Sequence, residues 1–235
     1  MKVGIKMRYV RYPNQEEWND IFNRSPFKDF NFSSLDFADK NFEITDVFDT
    51  PILNSNGFLL IQRVRALIES YILLSFYYEL GIPDEIEQRN NKDIFNDFEE
   101  HHYQIKARFD NCTDVFYFKI FSCWETLGHI LNIQYDLKTK RVYFRDVVSS
   151  LEKIDANMYF ELNEIINDTE FKNAINYRNQ ITHNQSPNIP GLVRTRFKNG
   201  LETEKFQECL SPNNVIKNIN FIIELLKRSI FIIGK

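Results

Sequence analysis

Glycine and proline are scarce, with seven of each in 235 residues. Loop-rich β architectures, collagen-like repeats and low-complexity chains all depend on those residues, so none of the three fits. Cysteine is scarcer still. Cys112, Cys123 and Cys209 form neither a C-x-x-C pair nor an even set, so no disulfide framework is expected and a reducing compartment is the expected setting. No stretch reaches the ~18 charge-poor apolar residues a membrane span needs. Residues 57–80 are cut by Arg63, Arg65, Glu69 and Glu79, and 215–233 by Lys217, Glu224, Lys227 and Arg228. The opening MKVGIKMRYVRY has no continuous apolar segment and no small-residue cleavage site, so it does not read as a signal peptide and a cytoplasmic protein is expected. Neither charge sign dominates, since 29 Lys and Arg face 33 Asp and Glu for a net charge of −4. Any polyanion site must therefore be local.

What is present is hydrophobic mass. The composition is 43% hydrophobic with 22 Phe and 11 Tyr, ample for a core in a chain of this length. Val3, Ile5, Met7 and Tyr9 alternate with cations and predict a short strand; Pro13 precedes a short helix carrying Trp18, Ile21 and Phe22. Residues 25–56 hold no period and are expected as irregular chain. Helical spacing then predicts helices over 57–80, 94–108, from Asn111 onward through Trp124 to Leu131, over 144–152 and 157–167, over 169–183 behind an Asp168 cap, and over about 213–233. Asn199-Gly200 between LVRTRF and LETEKF predicts a β-hairpin near 192–206. The expected fold is mainly α: an antiparallel helical bundle over 57–235 with a small β-hairpin insertion. Residues 1–56 are expected to form an N-terminal strand and extension packed on it.

The chemistry concentrates in Tyr177-Arg178-Asn179-Gln180-Ile181-Thr182-His183. Arg178 falls in the apolar stripe Phe171, Ala174, Ile175, Ile181, and a guanidinium buried without a partner is costly. Either a carboxylate faces it, with Glu125 the best candidate, or a cleft receives an anion. His183 lies five residues on, a rotation of roughly 140°, and shares a face with Asn176 and Asn179.

Arg178-Asn179-x-x-x-His183, an Arg followed by a polar residue and then a His at the end of a late helix, resembles the signature of the HEPN superfamily (higher eukaryotes and prokaryotes nucleotide-binding). Phe121-x-x-Trp124-Glu125-x-Leu127-Gly128-x-x-Leu131-Asn132 is similar to helices of bacterial HEPN proteins, and the resemblance covers roughly 57–235. It implies a metal-independent endoribonuclease of the toxin or defence type, with no cofactor. The RNA 2′-hydroxyl would be the nucleophile, His183 would move the proton, Arg178 would stabilise the phosphate charge, and Asn179 would fix orientation. It also implies a homodimer in which Arg and His of different chains meet at the interface, which relieves the angular mismatch. RNA is then substrate or ligand, and a cognate antitoxin is a candidate partner. Gln185 stands where adenylylated HEPN toxins carry a Tyr, so regulation by that route is not expected.

Two alternatives stay open: a HEPN protein that holds nucleotide or RNA without cutting it, and a structural protein in which Arg178 belongs to a buried ion pair. Glu125 with His129, and Glu99-Glu100-His101-His102, suggest metal ligands only superficially. The first pair has no third ligand and adjacent His residues diverge by about 100° on a helix, so no metal is expected. Arg194, Arg196 and Lys198 alternate along the hairpin as a solvated face or as an RNA-backbone contact.

Overall fold

A computed structural model describes residues 11–31, 49–83, 98–139, 141–183, 186–188, 191–196, 202–207 and 210–234. The N-terminal strand expected over 2–10, Lys198, and the Asn199-Gly200 turn lie outside the described residues. The long axis of the fold is one helix where the sequence suggests two. No Gly or Pro interrupts 100–127, and the buried series Ile105, Phe109, Phe116, Ile120, Leu127, Ile130 keeps helical spacing across the expected break near 108–111. A single 35-residue helix, Glu100–Gln134, results.

In chain order the helices are α1 (Gln15–Arg24), α2 (Asp49–Glu79), α3 (Glu100–Gln134), α4 (Phe144–Ser150), α5 (Ala156–Asn167), α6 (Thr169–His183) and α7 (Pro212–Ile233), with a 3-10 turn at Leu151–Lys153 after α4. α2 begins at Asp49, eight residues before the expected Gly57, because Pro51 falls in its first turn, where a missing N–H costs nothing. It ends at Gly81, whose φ of 92° suits only a residue without a side chain. α2 runs antiparallel to α3, with Tyr78 near its C-terminal end beside Phe109 and Arg63 at its middle beside Ser122 and Thr126.

Side-chain caps mark the starts of α5, α6 and α7. Asp155 accepts from the Met158 N–H, Asp168 from Glu170 and Ser211 from Asn214. α7 is apolar along its inner side, burying Ile219, Ile222, Ile223 and Leu226 against α3, α5 and α6. Its few inward polar groups meet aromatic tips: Trp124 Nε1 donates to Ser229 Oγ at 3.1 Å and the Tyr117 hydroxyl to Asn218 Oδ1 at 2.6 Å. α1, closed by an Asn14/Glu17 capping box, packs on α2 through Ile21 and the Arg24–Glu79 pair. Strands β1 (Gly191–Arg196) and β2 (Glu202–Gln207) pair antiparallel, with Arg194 opposite Glu204 and Arg196 opposite Glu202. Among the described residues no helix is long and apolar enough to cross a membrane.

Gly128 sets how closely α4 approaches α3. A Cβ there would stand 3.2 Å from the Phe144 Cα and 3.3 Å from its N. Both neighbours are backbone, which cannot swing aside as a side chain can. Gly128→Val is expected to destabilise the fold by roughly 1–3 kcal/mol through overpacking, measured by chemical denaturation.

Candidate functional site

Aromatic packing between α3 and α6 locates the site. Phe171 meets Trp124 edge-on at 4.7 Å and Phe121 at 5.8 Å, and Tyr177 stacks on Tyr117 with centroids 4.1 Å apart. Tyr177 takes the core position that the sequence pattern assigned to the middle of the stripe. Arg178, the next residue, is displaced to the flank, with 37% of its side chain exposed. It reaches across to α3, where Nη2 stands 3.7 Å from Glu125 Oε1.

That separation is an ion pair rather than a hydrogen bond, and the Arg178 Nε is buried with no hydrogen-bond partner among the described residues. The guanidinium is thus oriented by Glu125 but keeps donors unspent. Asn179 is exposed on the outer side of α6. α6 remains helical through His183, so positions 178 and 183 stay about 140° apart around one axis. Arg178 and Glu125 are brought together; Arg178 and His183 of one chain do not share a face.

The helix end carrying His183 is tied to α3 just beyond it. Lys106, 5% exposed, donates from Nζ to both Asp110 oxygens at 2.9 and 2.8 Å and to the Asn188 carbonyl at 3.0 Å. Ser186 Oγ donates to Asp114 Oδ1 at 3.2 Å. Lys106, Asp110 and Asp114 recur every four residues on one face of α3 and hold the chain three to five residues after His183. Burial raises both carboxyl pKa values, with Lys106 opposing the rise. Asp114 is pushed up to about 6, mainly by burial and further by Asp110, against the Ser186 hydrogen bond and Lys106.

From residue 59 to residue 233 the chain matches the Cthe2314-like HEPN family. The chain belongs to the HEPN family. No curated protein and no solved structure matches it. The match runs from within α2 through α7, so the α3/α6 surface with Arg178 and Glu125 lies wholly within the HEPN domain. Arg194 and Arg196 lie on β1, whose backbone pairs with β2. Among the described residues no group of three or more His, Cys, Asp or Glu is placed to hold a metal ion. His102 instead accepts from the Glu99 N–H at the start of α3.

Sequence reasoning passed over two features of this HEPN domain. The Lys106 network could be read only as polar residues in a helix, although the four-residue spacing of Lys106, Asp110 and Asp114 was a signal. In the sequence Arg63 is a charge interrupting an apolar stretch. In the fold its Nη1 donates to the Ser122 carbonyl at 2.5 Å and to Thr126 Oγ1 at 2.6 Å, on the same turn of α3 as Glu125.

Two outcomes are expected. Lys106→Met alone leaves Asp110 buried without its cation and costs about 3–5 kcal/mol in denaturant titrations, whereas Lys106→Met with Asp110→Leu recovers most of it. The raised Asp114 pKa means that the folded state holds its proton more tightly than the unfolded chain. That contribution is fully present below about pH 4, the unfolded carboxyl value, and is lost as pH rises through about 6. Thermal melts should therefore show Asp114→Asn more stable than wild type at pH 7.5, with the difference shrinking toward pH 4.5.

Proposed function

We propose that the protein is a metal-independent endoribonuclease built on Arg178 and His183. The observation that carries the reading is the Arg178 guanidinium, held toward Glu125 by a loose 3.7 Å ion pair with a buried, unspent Nε. A structural arginine would have its donors consumed, because an unmet buried donor costs free energy. The Nη groups make no hydrogen bond among the described residues either, and with 37% of the side chain exposed they are the donors an incoming phosphodiester can meet in bidentate fashion.

The reaction requires no group beyond the chain and the RNA. The 2′-oxygen attacks the adjacent phosphorus and its proton passes to a base. The bond to the 5′-oxygen breaks, and that oxygen takes up a proton. Products end in a 2′,3′-cyclic phosphate and a 5′-hydroxyl. His183 is the group whose ordinary pKa permits proton exchange near neutrality. The Arg178 guanidinium offsets the negative charge that grows on the non-bridging oxygens. Asn179, one turn before His183, orients the imidazole or the phosphate. The 140° between positions 178 and 183 favours a composite site, in which a homodimer sets Arg178 of one protomer against His183 of its partner. Toxin or defence biology, with a cognate antitoxin, is the setting this activity suits. Arg194 and Arg196, with Lys198, are further candidates for the RNA backbone, although the strand register sets Glu204 and Glu202 opposite the two arginines.

Incubation of wild type, Arg178→Ala and His183→Ala with a mixed RNA pool in EDTA tests the reading. Wild type is expected to generate cyclic-phosphate ends, and each variant to lose at least roughly a hundredfold in rate. Both variants should keep the wild-type melting temperature. No cleavage by wild type across several RNA classes leaves a HEPN domain that binds without cutting. A large fall in melting temperature on Arg178→Ala assigns Arg178 to the fold.

A further inference from the structure

We propose that Arg63 is a second phosphate-binding residue, which takes the phosphate next to the one held by Arg178 so that a single RNA strand lies along the outer strip of α3 between them. The proposal rests on the ribonuclease reading for the identity of the strand, and on a separate geometry for Arg63. Arg63 approaches α3 from α2 and anchors at Ser122 and Thr126; Arg178 approaches from α6 and is oriented by Glu125. Their anchor points are at most three residues apart, about 4.5 Å of axial rise. Two guanidinium groups from opposite sides thus converge on one turn of one helix.

Their charges are not equivalent. Arg178 has a carboxylate nearby, whereas both acceptors of Arg63 are uncharged and all its bonds use Nη1. Nε and Nη2 of Arg63 bond to nothing among the described residues. Holding the side chain by one nitrogen fixes its direction while leaving the fork on the other side for a ligand, and an anion would supply the missing countercharge.

The strip between the two arginines also suits a single strand. At 100° per residue, positions 115, 118, 122, 125 and 129 of α3 fall within an arc of about 80°. Of these, Val115 is 39% exposed, Phe118 is 42% exposed, and His129 is also exposed. Phe118 lies one turn from Ser122, the Arg63 anchor. A solvent-facing aromatic ring beside a pair of cations is the arrangement on which unpaired bases stack while their phosphates are held, and a duplex, with its bases already stacked, cannot use it. The expected ligand is therefore unpaired RNA.

The test is fluorescence anisotropy of a labelled single-stranded RNA oligonucleotide in EDTA. It uses the full chain carrying His183→Ala so that the strand stays intact. Arg63→Gln removes the charge and the guanidinium fork. It is expected to weaken binding roughly tenfold and to reduce the slope of log affinity against log salt by about 0.7, the increment for one phosphate of a single strand. Arg63→Lys should restore the slope, and neither variant should lower the melting temperature. Unchanged affinity and slope in Arg63→Gln overturns the proposal. So does a loss of binding that tracks a fall in melting temperature, which makes Arg63 an interhelical clip. A change from dimer to monomer at constant slope overturns it too, by placing Arg63 in a subunit contact. Wild type that binds RNA in an Arg63-dependent way without cutting it removes the ribonuclease reading and leaves this one standing; cleavage by wild type with binding indifferent to Arg63 does the reverse.

Discussion

The contact between the aromatic face of α3 and the aromatic face of α6 is the constraint from which the site follows. Trp124 and Phe121 enclose Phe171, and Tyr117 stacks on Tyr177, so the rotation of α6 about its axis is fixed by rings too large to exchange places. Once Tyr177 occupies the core, the next residue must emerge at the edge of the interface. Arg178 is placed beside Glu125 by this packing more than by the weak ion pair itself.

The same face of α3 changes character toward its N-terminal half. Where α6 ends, the aromatic layer gives way to Lys106, Asp110 and Asp114, which grip Ser186 and Asn188 instead of apolar side chains. Buried charge is an expensive way to join two segments when apolar packing would serve. What it adds is direction: the lysine binds a particular carbonyl and the carboxylate a particular hydroxyl. Ser186 and Asn188 are thereby registered against α3. On the proposed ribonuclease reading, His183 at the end of α6 would gain from such fixation, because proton transfer depends on placement at hydrogen-bond distance.

Much of this was legible in the sequence for identifiable reasons. The periodic stripe of 57–80, the Pro212 start and Gly234 stop of the last helix, and the Asp168 cap are local signals that packing reinforces. The single α3 was harder to read, because its first turns present Lys106 and Asp110 inward and so imitate a solvated helix with a break after it. The start of α2 at Asp49 is hidden within 25–56, since Pro51 resembles a loop residue until the first turn of a helix is seen to tolerate it. At the site, Arg178 and Glu125 could be paired from pattern alone. Arg63 could not, because it lies about sixty residues from Ser122 and its own helix gives no hint of where it reaches.

By itself the sequence determined the chemical inventory: a mostly helical chain, a motif of Arg178, Asn179 and His183 at the end of a late helix, and one carboxylate suited to face the arginine. Helix periodicity and caps are carried by neighbours within a few residues, so one dimension suffices to read them. Tertiary structure alone decided that Tyr177 rather than Arg178 fills the core, that a lysine is buried behind the motif, and that a second arginine arrives on the same turn of α3. Those outcomes depend on which faces meet across the bundle, and that choice is settled by the volume and shape of side chains far apart in the chain.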